Sequence, residues 1–394
     1  MPRALRCQAC DASGLREFYR VERVPVHSNL LLADREAALA QPMGELRLAL
    51  CTACGFVQNV AYDPRLQDYS ESYEDAQAFS PRFLAFQDEL IQGLIARHRL
   101  RGSRVLEIGC GRGDFLARLC ELADAKGLGY DPAFRASEVS ERAVGRVEFV
   151  RRPFSAAEDP PDFDLLCCRH TLEHVAAVRE FVETVRRSLD DHKQAAVYFE
   201  VPDLERILEE EAFWDLYYEH CSYFTSGALA RLFERCGFEV LRLEKGFEAQ
   251  YLMLEARAAA RGGAEAAGKG AEELRGLADL VARFQARVGE RLAAWRRQLA
   301  AWQREGRRVV LWGAGSKASG FLTTLGVGDE VAAIVDINPR KQGMFQSGTG
   351  HPILAPAALP ALRPDVVVVM NPAYRDEIRR DLSAMGLAPR IECL

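Results

Sequence analysis

No apolar run in this chain reaches the roughly 18 residues that cross a bilayer as a helix. The opening MPRALRCQAC has no apolar stretch of secretory type. A cytoplasmic protein with no membrane partner is the expectation. Positive charge is also short: 51 Lys and Arg stand against 57 Asp and Glu, a net −6, which argues against a primary nucleic-acid binder. A disulfide framework is not expected either. The 11 cysteines are odd in number and mostly irregular in spacing, and a reducing cytosol disfavours disulfides. What remains is an ordinary globular composition, 48% hydrophobic and 27% charged over 394 residues. That length suits two or three domains better than one core.

Four cysteines do form a pattern. Cys7 with Cys10 and Cys51 with Cys54 are two Cys-x2-Cys pairs, separated by a long insert. Each pair can present two sulfurs from one tight knuckle, and two knuckles complete a tetrahedral zinc. Gly55 follows the second pair, where such a turn often needs positive φ. Four thiolates leave no open coordination position, so the zinc is expected to be structural. His27 lies between the pairs and is expected in a loop rather than as a ligand.

Helical spacing of Phe83, Phe86, Leu90, Leu94 and Ile95 predicts a helix over 82–98. An apolar strand from Arg104 then runs into Glu107-Ile-Gly109-Cys-Gly111-Arg-Gly113 and a helix. Glycines there let backbone approach a ligand at the strand's carboxyl end. A second strand ends in Tyr130-Asp131-Pro132. The step from Gly109 to Asp131 is close to the spacing at which an acidic residue holds ribose hydroxyls in nucleotide folds. The glycine run by itself suits a dinucleotide equally well.

The run matches E-x-G-x-G-x-G and resembles the signature of the class I S-adenosylmethionine (SAM) methyltransferases, over about residues 82–258. The resemblance implies a SAM site lined by Glu107, Gly109, Gly111, Gly113, Tyr130, Asp131 and Pro132, with His170 after the fourth strand. The third strand is expected over Phe149–Phe154, the fourth from Phe163, and the fifth over Ala195–Pro202. Many relatives carry an acidic residue after the third strand for the adenine amino group; here Phe154 is expected to pack on adenine instead.

Residues 213–226 concentrate chemistry, with Tyr217, Tyr218, Glu219 and His220 in succession. Histidine can take a proton near neutral pH, a carboxylate can fix its tautomer, and a tyrosine hydroxyl can donate to an oxyanion. A core-facing aromatic helix is the bland alternative. The segment resembles the tyrosine-x-glutamate-histidine stretch and following serine-tyrosine-phenylalanine of the SAM-dependent C-methyltransferases of nucleotide-linked deoxysugars. Those enzymes also begin with a four-cysteine zinc module and end in a second Rossmann-like domain. The resemblance implies that His220 removes a proton beside a sugar ketone, with Tyr217 as oxyanion donor and Glu219 as orienter or sugar ligand. It further implies a second active-site histidine at His174, substrate contact at Tyr218, where the family more usually has histidine, and Tyr73 reaching over SAM.

An Ala-, Gly- and Glu-rich linker precedes a long apolar stripe from Leu274 to Trp302, read as a core or bridging helix. A second strand, glycine turn and helix follow around Gly313 and Gly315. Asp336 ends the next strand, at nearly the same interval from Gly313 as Asp131 from Gly109. By itself this suggests an NAD-binding fold. The C-methyltransferase resemblance implies instead that the domain holds a nucleotide-sugar, through Lys317 and Lys341.

The expected architecture is therefore α/β: a class I methyltransferase Rossmann-like domain (79–258) flanked by a small N-terminal zinc module with connecting loop (1–78) and, after a linker and long helix (259–305), a C-terminal Rossmann-like domain (306–394). The expected activity is methyl transfer from SAM to carbon on a nucleotide-linked keto-deoxysugar, by a monomer or homodimer. The rivals are a SAM-dependent O- or N-methyltransferase and an NAD-binding protein.

Overall fold

The computed structural model describes residues 5–67, 74, 79–135, 141–155, 162–190, 192, 194–260 and 270–394. Tyr73 and most of the linker lie outside them. Among the described residues, no helix is long and apolar enough to cross a membrane.

Strands β1 (Leu15–Pro25), β2 (Met43–Cys51) and β3 (Val57–Asn59) form an antiparallel N-terminal sheet. The middle of the chain supplies β4 (Arg104–Ile108), β5 (Lys126–Tyr130), β6 (Val147–Val150), β7 (Leu165–Arg169), β8 (Ala196–Pro202), β9 (Ser222–Tyr223), β10 (Phe238–Gly246) and β11 (Tyr251–Ala258). Seven of these make one sheet in the order β10-β11-β8-β7-β4-β5-β6. Its β4–β8 are parallel, and β11 is antiparallel to both β8 and β10. This is the class I methyltransferase fold. The third strand is shorter than its sequence suggests and stops at Val150, where the chain turns and Arg152 N–H bonds back to the Val150 carbonyl at 2.9 Å.

The last part contains β12 (Val309–Trp312), β13 (Ala333–Val335), β14 (Ile353–Leu354), β15 (Val366–Val369) and β16 (Arg390–Cys393), all parallel, in the order β14-β13-β12-β15-β16. The unbroken run of valines in β15 is buried on both faces, as a central parallel strand requires.

Two features bind these units together. The two-residue β9 leaves the methyltransferase sheet and pairs with β3 of the N-terminal sheet, Val57 opposite Tyr223. The helix Gly270–Arg304 then runs along both flanking units: Phe284 meets Phe18 and Tyr19 of β1 edge-on, and Trp295 meets Phe321 of the C-terminal unit. One apolar core accordingly contains Phe18 and Leu46 from the N-terminal sheet, Phe213 and Trp214 from the segment before β9, and Phe321 and Ile334 from the C-terminal unit.

Candidate functional site

At the end of β4 the chain turns through Gly109, Gly111 and Gly113, all at positive φ, of +69°, +52° and +76°. The helix Asp114–Ala123 follows at once, so its unpaired amides face the cleft. A side chain at Gly109 would collide with Thr171, and one at Gly113 with the Phe149 ring. Asp131 closes the loop from β5, accepting from Gly111 N–H at 2.9 Å and Ala133 N–H at 2.7 Å. Around this turn lies a cavity of about 370 Å³ lined by Tyr130, Asp131, Pro132, Phe154, His170 and His174, among others. Phe154 forms its wall by standing edge-on to Tyr130 at 5.4 Å.

A second cavity of about 400 Å³ shares Gly109 and Gly111 with the first. It extends between the methyltransferase sheet and the C-terminal unit, past His174, Tyr217 and His220 to Lys317 and Lys341. Glu107 opens onto it. This carboxylate is buried, its Oε2 has no hydrogen-bond partner among the described residues, and burial lifts its pKa to about 8. A buried carboxylate with one unpartnered oxygen beside a glycine turn suits the ammonium of an amino-acid moiety, such as that of SAM.

The segment before β9 is a short turn, Phe213–Asp215, followed by irregular chain rather than an aromatic helix. Tyr223 pins it: the Tyr223 hydroxyl accepts from Tyr217 N–H and donates to the Tyr217 carbonyl, at 3.2 and 3.1 Å. His220 is thereby held with its ring 4.5 Å from that of Tyr217 and 4.8 Å from that of His174. His220 Nδ1 is buried with no hydrogen-bond partner among the described residues. Burial, then the neighbouring His174, keeps the His220 pKa well below the usual histidine range, so the ring is neutral and able to accept a proton. The Tyr217 hydroxyl lies 3.3 Å from Asp215 Oδ1, and burial pushes its pKa up, so it stays a donor.

Two neighbours in sequence face elsewhere. Glu219 is expected to orient His220, but its Oε1 accepts from Ser28 N–H at 2.6 Å and lies 3.6 Å from Nδ1 of a buried His27. It fastens the N-terminal segment. Tyr218 is expected at substrate, yet it is fully buried outside both cavities. Its ring fills the space left by the missing side chain of Gly44, and its hydroxyl bonds the backbone of Asp63. Residues 218 and 219 form a turn, which carries Tyr218 and Glu219 away from the cleft and brings His220 back to it beside Tyr217.

His170 leaves the end of β7 at a φ of +48°, a left-handed conformation costing of order 1–3 kcal/mol for a residue other than glycine. Its Nε2 lies 2.8 Å from Glu200 Oε1 and its Nδ1 lies 3.7 Å from Glu173 Oε1. Burial opposes the charged ring, but the two carboxylates prevail and raise its pKa to about 9. Glu200 is held in turn by Arg169 at 2.8 Å and the Tyr198 hydroxyl at 2.6 Å. Glu173, which sequence reasoning passes over, gathers with His174 and His220 so that one ligand-type atom of each lies within 4.8 Å of the others.

Both expected lysines reach the cleft from the C-terminal unit. Lys317 meets both oxygens of Asp215 at 2.5 Å, and Arg206 Nη2 meets Asp215 Oδ2 at the same distance, 2.5 Å. Close packing sets this up: a Cβ on Gly320 would lie 2.8 Å from the Trp214 carbonyl oxygen. Lys341 is buried and, among the described residues, has only neutral partners, Asn29 Oδ1 at 3.2 Å and the Ala314 carbonyl at 3.0 Å. It stands beside the N-terminus of the helix Ser316–Leu325.

Away from the cleft, the four N-terminal cysteines converge. Cys7 Sγ is 3.6 Å from Cys54 Sγ, and Cys10 Sγ is 3.6 Å from Cys51 Sγ. Tetrahedral zinc with Zn–S bonds of about 2.3 Å sets sulfurs about 3.8 Å apart, so the quartet has the size of such a site.

Two families match in tandem along the chain: one described as "Methyltransferase domain" over residues 77–243, and one described as "C-methyltransferase C-terminal domain" over residues 258–387. The chain is 26% identical to the C-methyltransferase NovU of Streptomyces niveus, over 94% of this chain and 90% of that one. This protein is a SAM-dependent C-methyltransferase. The methyltransferase is also 31% identical to the indolepyruvate C-methyltransferase of Streptomyces griseus over 138 residues, 33% of this chain and 40% of that one. Among solved structures, the S-adenosylhomocysteine-bound magnesium protoporphyrin IX methyltransferase of Synechocystis PCC 6803 aligns with 45% of this chain and 84% of its own. That alignment has 16% identity and a TM-score of 0.36.

In this methyltransferase the glycine turn and Glu107 could hold the amino-acid moiety of SAM, Asp131 its ribose, and Tyr130 and Phe154 its adenine end. Asp131→Ala is expected to weaken S-adenosylhomocysteine binding by about 1.5–3 kcal/mol, the worth of a charge-assisted hydrogen bond. Titration calorimetry giving wild-type affinity would refute that placement.

Proposed function

We propose that the methyltransferase alkylates the carbon beside the ketone of a nucleotide-linked keto-deoxysugar. The observation that carries this reading is the single cavity joining the Gly109–Gly111 turn, His220 with Tyr217, and buried Lys341. The methyl of SAM is already electrophilic, so the chain needs only to generate a carbon nucleophile and align it. Neutral His220 takes the α-proton. Tyr217 donates to the oxygen that becomes the enolate. Lys341 and the helix N-terminus at Ser316 form a cationic end for a diphosphate, and the Lys317–Asp215–Arg206 cluster fixes the wall between. Similarity to NovU along nearly the whole chain supports carbon as the acceptor.

Incubation with nucleoside-diphosphate keto-deoxyhexoses in D2O tests the reading. Deuterium is expected at the carbon beside the ketone, with methylation there when SAM is added. A product methylated on oxygen or nitrogen, without exchange, would overturn it. Lys341→Met is expected to raise KM for the nucleotide-sugar by about 10- to 100-fold, the range of one charged hydrogen bond, with S-adenosylhomocysteine affinity unchanged. An unchanged KM would remove the diphosphate from that end. We also infer that the cysteine quartet holds a structural zinc.

A further inference from the structure

Methylation through an enolate yields one proton per turnover. The C–H bond breaks, its electron pair becomes the new C–C bond, the sulfonium leaves as a neutral thioether, and the proton stays on the base. Here the base is buried, and its surroundings, His174, His170 and Lys317 on one side against Asp215 on the other, disfavour an imidazolium. The proton therefore needs a second resting place before the cavity reopens.

Glu173 meets that need. It sits in the turn after β7, lines the same cavity and is 2% exposed. Its Oε2 is buried with no hydrogen-bond partner among the described residues. Its other oxygen faces His170, which is anchored on Glu200 and, through it, on Arg169. Cys168 and Cys221 flank it as thiols, their pKa values raised by burial, so they offer no competing base. We infer that Glu173 receives the proton from His220, directly or through His174, and that the His170–Glu200 pair positions its carboxylate for this transfer. His220 returns to neutral, Glu173 becomes the carboxylic acid, and the proton reaches water when product leaves. The inference rests on the reading of His220 as base; Glu173 acts through the histidines and not on substrate.

Glu173→Gln keeps the shape and removes the acceptor. With the keto-deoxyhexose substrate, kcat is expected to fall about 100-fold, at the lower end of what proton transfer contributes, with KM unchanged. Glu173→Ala is expected to regain rate when formate is added, which a purely structural loss would not do. A substrate-free arm uses the S-adenosylhomocysteine complex: the ring 15N resonances of His174 and His220 are expected to move in Glu173→Gln. Wild-type kcat in Glu173→Gln, failure of formate rescue, or unmoved ring resonances would each overturn the proposal. Resonances that move in Glu173→Gln, together with a wild-type enzyme that methylates no keto-sugar, would instead defeat the reading of the substrate and leave the Glu173–histidine link standing.

Discussion

His220→Asn is expected to bind S-adenosylhomocysteine as the wild type does and to turn over about 10²–10⁴-fold more slowly, the usual contribution of a general base. Asparagine conserves much of the imidazole's size but cannot accept the proton. The neighbours Tyr217 and His174 keep their own supports, Tyr217 through Tyr223, so the cavity survives the change. The pH profile is a second check. The His220 pKa is pushed down by burial and by His174, so the neutral ring persists below the ordinary histidine range, near 6.5. The acid limb of kcat should therefore lie below about pH 6.5. Near-normal turnover in His220→Asn would pass the role to His174 and strengthen the case for transfer to oxygen or nitrogen.

Removing the zinc inferred at the cysteine quartet should be the most damaging single change to stability. Structural zinc contributes roughly 10–16 kcal/mol of apparent folding free energy in small zinc peptides, and the N-terminal sheet has few strands to fall back on. Cys51→Ser or a strong chelator is expected to lower the thermal midpoint sharply and to release about one zinc per chain by elemental analysis. The damage should also reach catalysis. Cys54 and Phe56 pack in one core with Phe224, the Phe56 and Phe224 rings lying 5.3 Å apart. Phe224 directly follows β9, the short strand just beyond His220. A zinc-free preparation that is folded and active would defeat both claims.

The fold is readable because its marks are local. The glycine turn, the acidic end of β5 and the two cysteine knuckles are each compact in sequence, and periodicity gives the helix Pro81–His98 almost to the residue. Side-chain direction is less readable. The run Tyr217–His220 presents four chemically suitable groups, yet backbone geometry sends only the first and last into the cleft. Tyr218 fills the hollow at Gly44, and Glu219 reaches Ser28, 191 residues away in sequence. Glu173 escapes notice for the opposite reason. Its place in Thr-Leu-Glu-His marks it as an ordinary turn residue, and only the meeting of β7, β8 and the segment before β9 surrounds it with histidines. Lys317 stands out as a substrate contact; its partner Asp215, 102 residues earlier, carries no mark in the sequence.

The two-residue strand β9 has a consequence for recombining such enzymes. A chimera cut near residue 79 would join one enzyme's N-terminal sheet to another's β9, leaving the backbone pairing of Val57 and Gln58 with Ser222 and Tyr223 to a mismatched partner. The exchangeable unit is thus discontinuous: the N-terminal sheet travels with 213–226, and the methyltransferase sheet is the host into which both are set. Donor pairs that respect this boundary should give soluble hybrids, whereas those cut at the linear domain border should lose the histidine's seat even when every catalytic residue is retained.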